Sequence, residues 1–387
     1  MKQAVSSIAV VAATLVCLSG LFALQPFAHM TDGLDRFFGA LPAWTQVANM
    51  FRDPTTQEVS RGASPLDSFR ILSASWAAHS SAVRVMLMGN SQSLMTSLAP
   101  NEPPPSGPEK TYPDYIADRY RQAGSQKLFY RLSAGAMSYQ EMLWYAIYVS
   151  GRVDVKPDVL LVQLNYQNFV NGGIRGGLLS LLADADFRHK VETIVQRNGA
   201  DADAFAEALH TFDQSQNPSA PATTSAQTLG SWMETGFRLQ LDRVPVFNSR
   251  EVIKESFVLL MTRCRIYFLH LGARARSLSG SRVSASRAAI EDLAEVCGRS
   301  KIRLILFEAP TNPAVALYLT PEDDRQYHDF TRSVASRFGL KILDFEHSIP
   351  ASEWGMSLNV PDPLHLGRAG HRRLADLMCT ALDQDGV

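Results

Sequence analysis

Val159-Leu160-Leu161-Val162-Gln163-Leu164 is a nearly unbroken apolar run, led in by Lys156-Pro157-Asp158. It has no side to offer to water. Such a run predicts a strand buried on both faces of a parallel sheet. β-Favouring runs of this kind recur at Val83 to Met88, Gln126 to Leu132, Ile302 to Phe307 and Leu340 to Phe345. Helical patterns separate them. Pro113 suits a first helical turn, and Tyr112, Ile116 and Tyr120 share one face up to Gly124. Ser138-Tyr139-Gln140-Glu141 is a capping box that starts a helix stopping near Gly151. Further helices are expected over 286–299, over 323–338 before Gly339, and over 367–382 with Leu374, Leu377, Met378 and Ala381 inward. Strands alternating with helices make βαβ units, hence a parallel sheet covered on both sides.

The rhythm breaks between 178 and 284, which reads as a mostly helical insertion or cap on the sheet. It holds a polar tract, Gln214 to Ser231, and an apolar stretch, Ser256 to Gly272, interrupted by Arg263 and Arg265. Those arginines argue against a membrane span there and for a packed helix. The N-terminus differs. No charge falls between Lys2 and Asp32, and Ala4 to Leu24 is long enough to span a bilayer core. With Lys2 before it and Asp32 and Asp35 after it, the reading is a single-pass anchor with a cytoplasmic N-terminus and the remainder outside. A cleaved signal peptide is the rival. The expected organisation is anchor or signal segment over 1–30, stalk and lead-in over 31–80, and one domain over 81–387. Trp76 and His79 in the lead-in read as packing and surface residues.

The chain has 387 residues, a formal charge of -1 and 46% hydrophobic residues, enough for a sizeable core. The near-neutral balance gives no reason to expect a nucleic-acid partner. Cys17, Cys264, Cys297 and Cys379 form no metal-binding spacing and read as buried apolar residues. No metal or cofactor is expected.

Two stretches carry chemistry. After Val83 to Met88, Gly89 lets the backbone turn sharply and Ser91 follows at the strand's C-terminal end. That is where open α/β sheets place ligands. A helix over 92–98 would add its positive end. A nucleophilic serine needs a base, and the base needs a group fixing its tautomer. Asp362-Pro363-Leu364-His365, in a Pro-rich loop before the last helix, supplies both: Asp362 can fold back onto His365 Nδ1 and leave Nε2 for Ser91. Asp344-Phe345-Glu346-His347 has the same spacing, but Asp344 ends a strand, so His347 reads as a surface residue.

Gly89-Asn90-Ser91, followed far downstream by Asp362-Pro363-Leu364-His365, resembles the SGNH (GDSL-like) hydrolase superfamily. Leu366 and Gly370-His371 continue the last block in the family manner. The resemblance covers 83–170 and 300–384. It implies a flavodoxin-like three-layer α/β/α sandwich with Ser91 as nucleophile, His365 as general base and Asp362 as its partner. It also implies an oxyanion hole from the Ser91 amide, a glycine amide best matched by Gly135, and an asparagine side chain. Asn165 is the choice for the last, with Gln167 and Asn168 left open. Asn90 stands where the family has aspartate, and the third block does not align cleanly. The α/β-hydrolase elbow fits less well, because Ser93 stands where its last glycine belongs. The implied activity is an extracytoplasmic serine esterase or O-acyltransferase acting on acyl, chiefly acetyl, esters of cell-surface carbohydrate, with a membrane acyltransferase as a partner class. A noncatalytic glycan- or partner-binding module and a lipase or thioesterase are the alternatives.

Overall fold

The computed structural model describes residues 51–52, 59–60, 65–94, 96–97, 110–197, 199–216, 278–315, 319–357 and 360–387. Ala4 to Leu24, the polar tract beyond residue 216 and Ser256 to Gly272 lie outside them. No described helix is long and apolar enough to cross a membrane.

The five predicted strands form: β1 (Val83–Gly89), β2 (Lys127–Ser133), β3 (Val159–Leu164), β4 (Arg303–Glu308) and β5 (Lys341–Asp344). Among the described residues they make one five-stranded sheet, ordered β2-β1-β3-β4-β5, with every pairing parallel. This is the flavodoxin-like strand order, whose switch point lies between β1 and β3.

Alternation along the strands builds two cores. On one face Met86, Met88, Leu160, Val162, Leu304 and Leu306 pack with helices α1 (Pro65–Ala78), α3 (Tyr139–Ser150), α6 (Ser281–Arg299) and α7 (Pro321–Phe338). On the other, Val85, Leu87, Leu161, Ile305 and Phe307 pack with α2 (Tyr112–Gln122) and α8 (Arg368–Gln384). The result is three layers, α/β/α, as the strand–helix rhythm and the family resemblance both imply.

Local signals behave as expected. Ser138 and Glu141 close both bonds of the capping box. Gly339 ends α7 at φ 63°, a left-handed conformation that favours glycine. Trp76, on α1, is buried edge-on against Tyr130, so this part of the lead-in belongs to the domain core. Cys297 and Cys379 are buried free thiols.

Three expectations need correction. Leu377 is an exposed residue of α8, whose inner face is Leu374, Met378 and Leu382. The described part of the insertion, α4 (Ala185–Gln196) and α5 (Ala202–Gln216), packs against α3 through Phe187 and Phe205 on Trp144, rather than capping the sheet. The Pro-rich stretch before the last helix is not a loop. β6 (Trp354–Ser357) and β7 (Val360–Leu366) form an antiparallel hairpin with a register irregularity. Pro361 and Pro363 cannot donate to a ladder, which confines β7 to a bulged, two-stranded pairing and disguises it as a loop.

Candidate active site

The site lies at the C-terminal edge of the sheet. Register places three of the predicted residues there. Gly89 pairs with Ser133 and Met88 with Val162. Ser91, Gly135 and Asn165 follow closely on the ends of three neighbouring strands, β1, β2 and β3, with Ser91 and Asn165 on the two strands that border the switch point. The expected helix after Ser91 is only a 3₁₀ turn, Ser91–Ser93, among the described residues. A turn that short sums few peptide dipoles, so an anion there would rest on individual N–H groups.

The hairpin brings the distant histidine to this edge. His365 Nε2 lies 3.2 Å from Ser91 Oγ, and His365 Nδ1 lies 3.2 Å from Asp362 Oδ2. Asp362 Oδ1 accepts the backbone N–H groups of Leu364 at 2.8 Å and His365 at 3.0 Å. Burial by itself would raise the Asp362 carboxyl. The facing imidazole and the two N–H groups outweigh burial and hold its pKa down at about 2. Asn312 Nδ2 donates to the Asp362 carbonyl at 2.8 Å and fixes the strand that carries it. The second Asp-x-x-His pair is elsewhere: His347 is exposed.

The Ser91 and Gly135 N–H groups donate to no described residue. Gly135 is presented by a turn in which Ala136 adopts φ 51°, a left-handed conformation uncommon outside glycine. Asn165 is held on both sides of its backbone. Its N–H donates to the Tyr139 hydroxyl at 3.0 Å, and that hydroxyl donates to its carbonyl at 3.2 Å. Burial pushes the Tyr139 phenol well above its ordinary range, so it keeps the proton it donates. Asn165 Oδ1 caps Gln167 N–H at 2.9 Å, and its Nδ2 bonds no described group. Asn168 Nδ2 also lacks a partner, but it is closed off from solvent, while its Oδ1 accepts from Asn90 Nδ2 at 3.1 Å. Gln167 Nε2 leans on the Tyr166 hydroxyl at 3.4 Å. Of the three third-block amides, Asn165 is the one whose side-chain donor neither bonds a described group nor is closed off from solvent without a partner.

Two features were not legible beforehand. Gln163 is fully buried inside what reads as an apolar strand. It explains Gly89, whose φ is not left-handed: a Cβ there would come 2.6 Å from Gln163 Oε1 and 3.0 Å from Ser93 Oγ. Space, rather than backbone freedom, requires glycine at this position. Buried Arg131 is the second. Its Nη1 donates to Ser93 O at 3.1 Å and Thr111 Oγ1 at 2.9 Å, tying the Ser91–Ser93 turn to the start of α2.

One described cluster has metal-ligating residue types. His328 Nδ1 lies 3.4 Å from Glu308 and Nε2 lies 3.3 Å from Glu346. Opposite ring nitrogens face the two carboxylates, so the imidazole links them.

No protein-family model and no curated protein sequence matches this chain. Similar solved structures include a psychrotrophic esterase from Pseudoalteromonas sp., at 8% identity and TM-score 0.37, covering 78% of this chain and 97% of that one. An acetyl xylan esterase is similar at 10% identity and TM-score 0.38, covering 78% and 100%. A carbohydrate acetylesterase from Sinorhizobium meliloti is similar at 8% identity and TM-score 0.35, covering 78% and 99%. These likenesses are distant, and the chemistry of the site rests on its own geometry.

Proposed function

We propose that this chain is a serine esterase or O-acyltransferase of the SGNH type, acting outside the cytoplasm on acyl esters of cell-surface carbohydrate. The observation that carries the reading is the unbroken line from Asp362 through His365 to Ser91 Oγ at the sheet's switch point. Ser91 Oγ attacks the ester carbonyl and His365 Nε2 takes its proton. The oxyanion is received by the Ser91 and Gly135 N–H groups and Asn165 Nδ2. The intermediate collapses, His365 protonates the departing alkoxide, and the acyl group stays on Ser91. Water then completes hydrolysis, or a sugar hydroxyl completes transfer. The carbohydrate substrate and a membrane acyltransferase partner belong to this proposal by analogy with the family, and the anchor at Ala4 to Leu24 by its length and lack of charge.

Labelling with a fluorophosphonate tests the chemistry. The folded protein is expected to label once, at Ser91, and Ser91→Ala is expected to abolish both labelling and hydrolysis of p-nitrophenyl acetate. A folded protein that does not label is a binding module instead. Faster cleavage of long-chain than of acetyl esters marks a lipase or thioesterase.

A further inference from the structure

Ser91 and His365 approach from opposite ends of the chain, and something must hold the two backbones in register. Three consecutive hydrogen bonds run between them through two buried glutamines. The Asn90 N–H donates to Gln163 Oε1 at 2.9 Å. Gln163 Nε2 donates to Gln92 Oε1 at 2.8 Å. Gln92 Nε2 then donates to the carbonyls of Pro310 at 3.0 Å and Leu364 at 3.2 Å. Asn90 immediately precedes the serine, and Leu364 immediately precedes the histidine.

The orientation of both amides is dictated from the ends. A backbone N–H can only donate and a backbone carbonyl can only accept. Gln163 must therefore turn its oxygen to Asn90 and its nitrogen to Gln92. Gln92 must turn its oxygen to Gln163 and its nitrogen to the two carbonyls. Flipping either amide sets oxygen against oxygen or nitrogen against N–H. Gln163 is 0% exposed and Gln92 is 3% exposed, so water cannot readily replace a lost link. The close approach of Gln163 to Gly89 keeps the first link short.

We propose that Gln92 and Gln163 are positioning residues that set the Ser91–His365 separation by tying the nucleophile's turn to the hairpin strand. The proposal rests on the serine reading above. Both side chains are closed off from solvent, so their loss is expected to act on turnover rather than on binding.

The test uses the full-length chain with p-nitrophenyl acetate. Gln92→Met and Gln163→Met keep the volume and delete the links. Each is expected to lower kcat on the order of 10- to 100-fold, the cost of a small misplacement of reacting groups, with KM changed by less than about twofold. The double variant is expected to lose no more than the worse single variant, because both break one chain. Gln92→Glu supplies the readout that packing alone does not move. Its carboxylate would face the Pro310 and Leu364 carbonyls, so at neutral pH it should be slower than Gln92→Met despite its closer shape. Acidification returns a donor to that position, so the Glu-to-Met ratio of kcat should rise as pH falls. This ratio also decides the matter if the methionine variants melt early, since fluorophosphonate labelling rates can be compared per folded molecule. Wild-type kcat in folded Gln92→Met and Gln163→Met, or a pH-independent ratio, overturns the relay. Retained labelling in Ser91→Ala would instead overturn the serine reading.

Discussion

Asp362→Asn should disable His365 while leaving it in place. Asp362 holds two kinds of partner at once. Oδ1 takes the backbone N–H groups of Leu364 and His365, and Oδ2 faces His365 Nδ1. The two N–H groups can pair only with an acceptor. An asparagine at 362 must therefore keep its oxygen toward them and turn its NH₂ to the imidazole. Nδ1 must then accept, which puts the ring proton on Nε2, against Ser91 Oγ. The base is left in the tautomer that cannot take the serine proton. In serine proteases the corresponding exchange lowers kcat by about 10⁴-fold, or about 5 kcal/mol of transition-state stabilisation. A loss of that order in kcat for p-nitrophenyl acetate is expected here. Nitrogen NMR of the labelled imidazole should show the tautomer inverted in the folded variant. A folded Asp362→Asn protein within about tenfold of wild-type kcat, or one whose Nδ1 still carries the proton, would refute the reasoning.

Other perturbations probe the surroundings. Tyr139→Phe leaves the Asn165 backbone N–H and carbonyl without their shared hydroxyl, and should cost about 1–3 kcal/mol of stability along with a drop in kcat larger than any rise in KM. The Asp201 carboxyl is raised to about 6 by burial and then by nearby Asp292. It holds its proton more tightly folded than unfolded, so stability should decline as pH climbs from about 4 through about 6. Asp201→Asn should remove that decline, and denaturant melts at pH 4.5 and 7.5 will show it as a growing advantage of the variant at the higher pH.

Much of this was legible because it is local. The five sheet strands announce themselves through β-favouring apolar runs, and α3 and α7 through a capping box and a terminal glycine. Ser91, Asp362 and His365 carry their spacing in the chain. The hairpin was hidden because its prolines and its irregular register imitate a loop. Gln163 was hidden because one amide in an apolar run has no period of its own. Its purpose depends on β3 lying beside β1, a long-range fact. The reason for Gly89 was concealed in the same way: sequence offers backbone freedom as the default, and only the facing amide reveals a steric demand. The 3.6-residue period could say that α8 has an inner face but not where its edge falls, which misplaced Leu377.

The hairpin has a consequence for timing. Ser91 and His365 are separated by 274 positions, and ribosomes deliver them in that order. β1, β2 and β3 are complete long before β7 emerges, yet the serine has no imidazole beside it until residues 360–366 have been made. A chain released before that point would carry the Ser91 hydroxyl without its His365 partner. The Ser91–His365 contact therefore waits on the synthesis of residues 360–366.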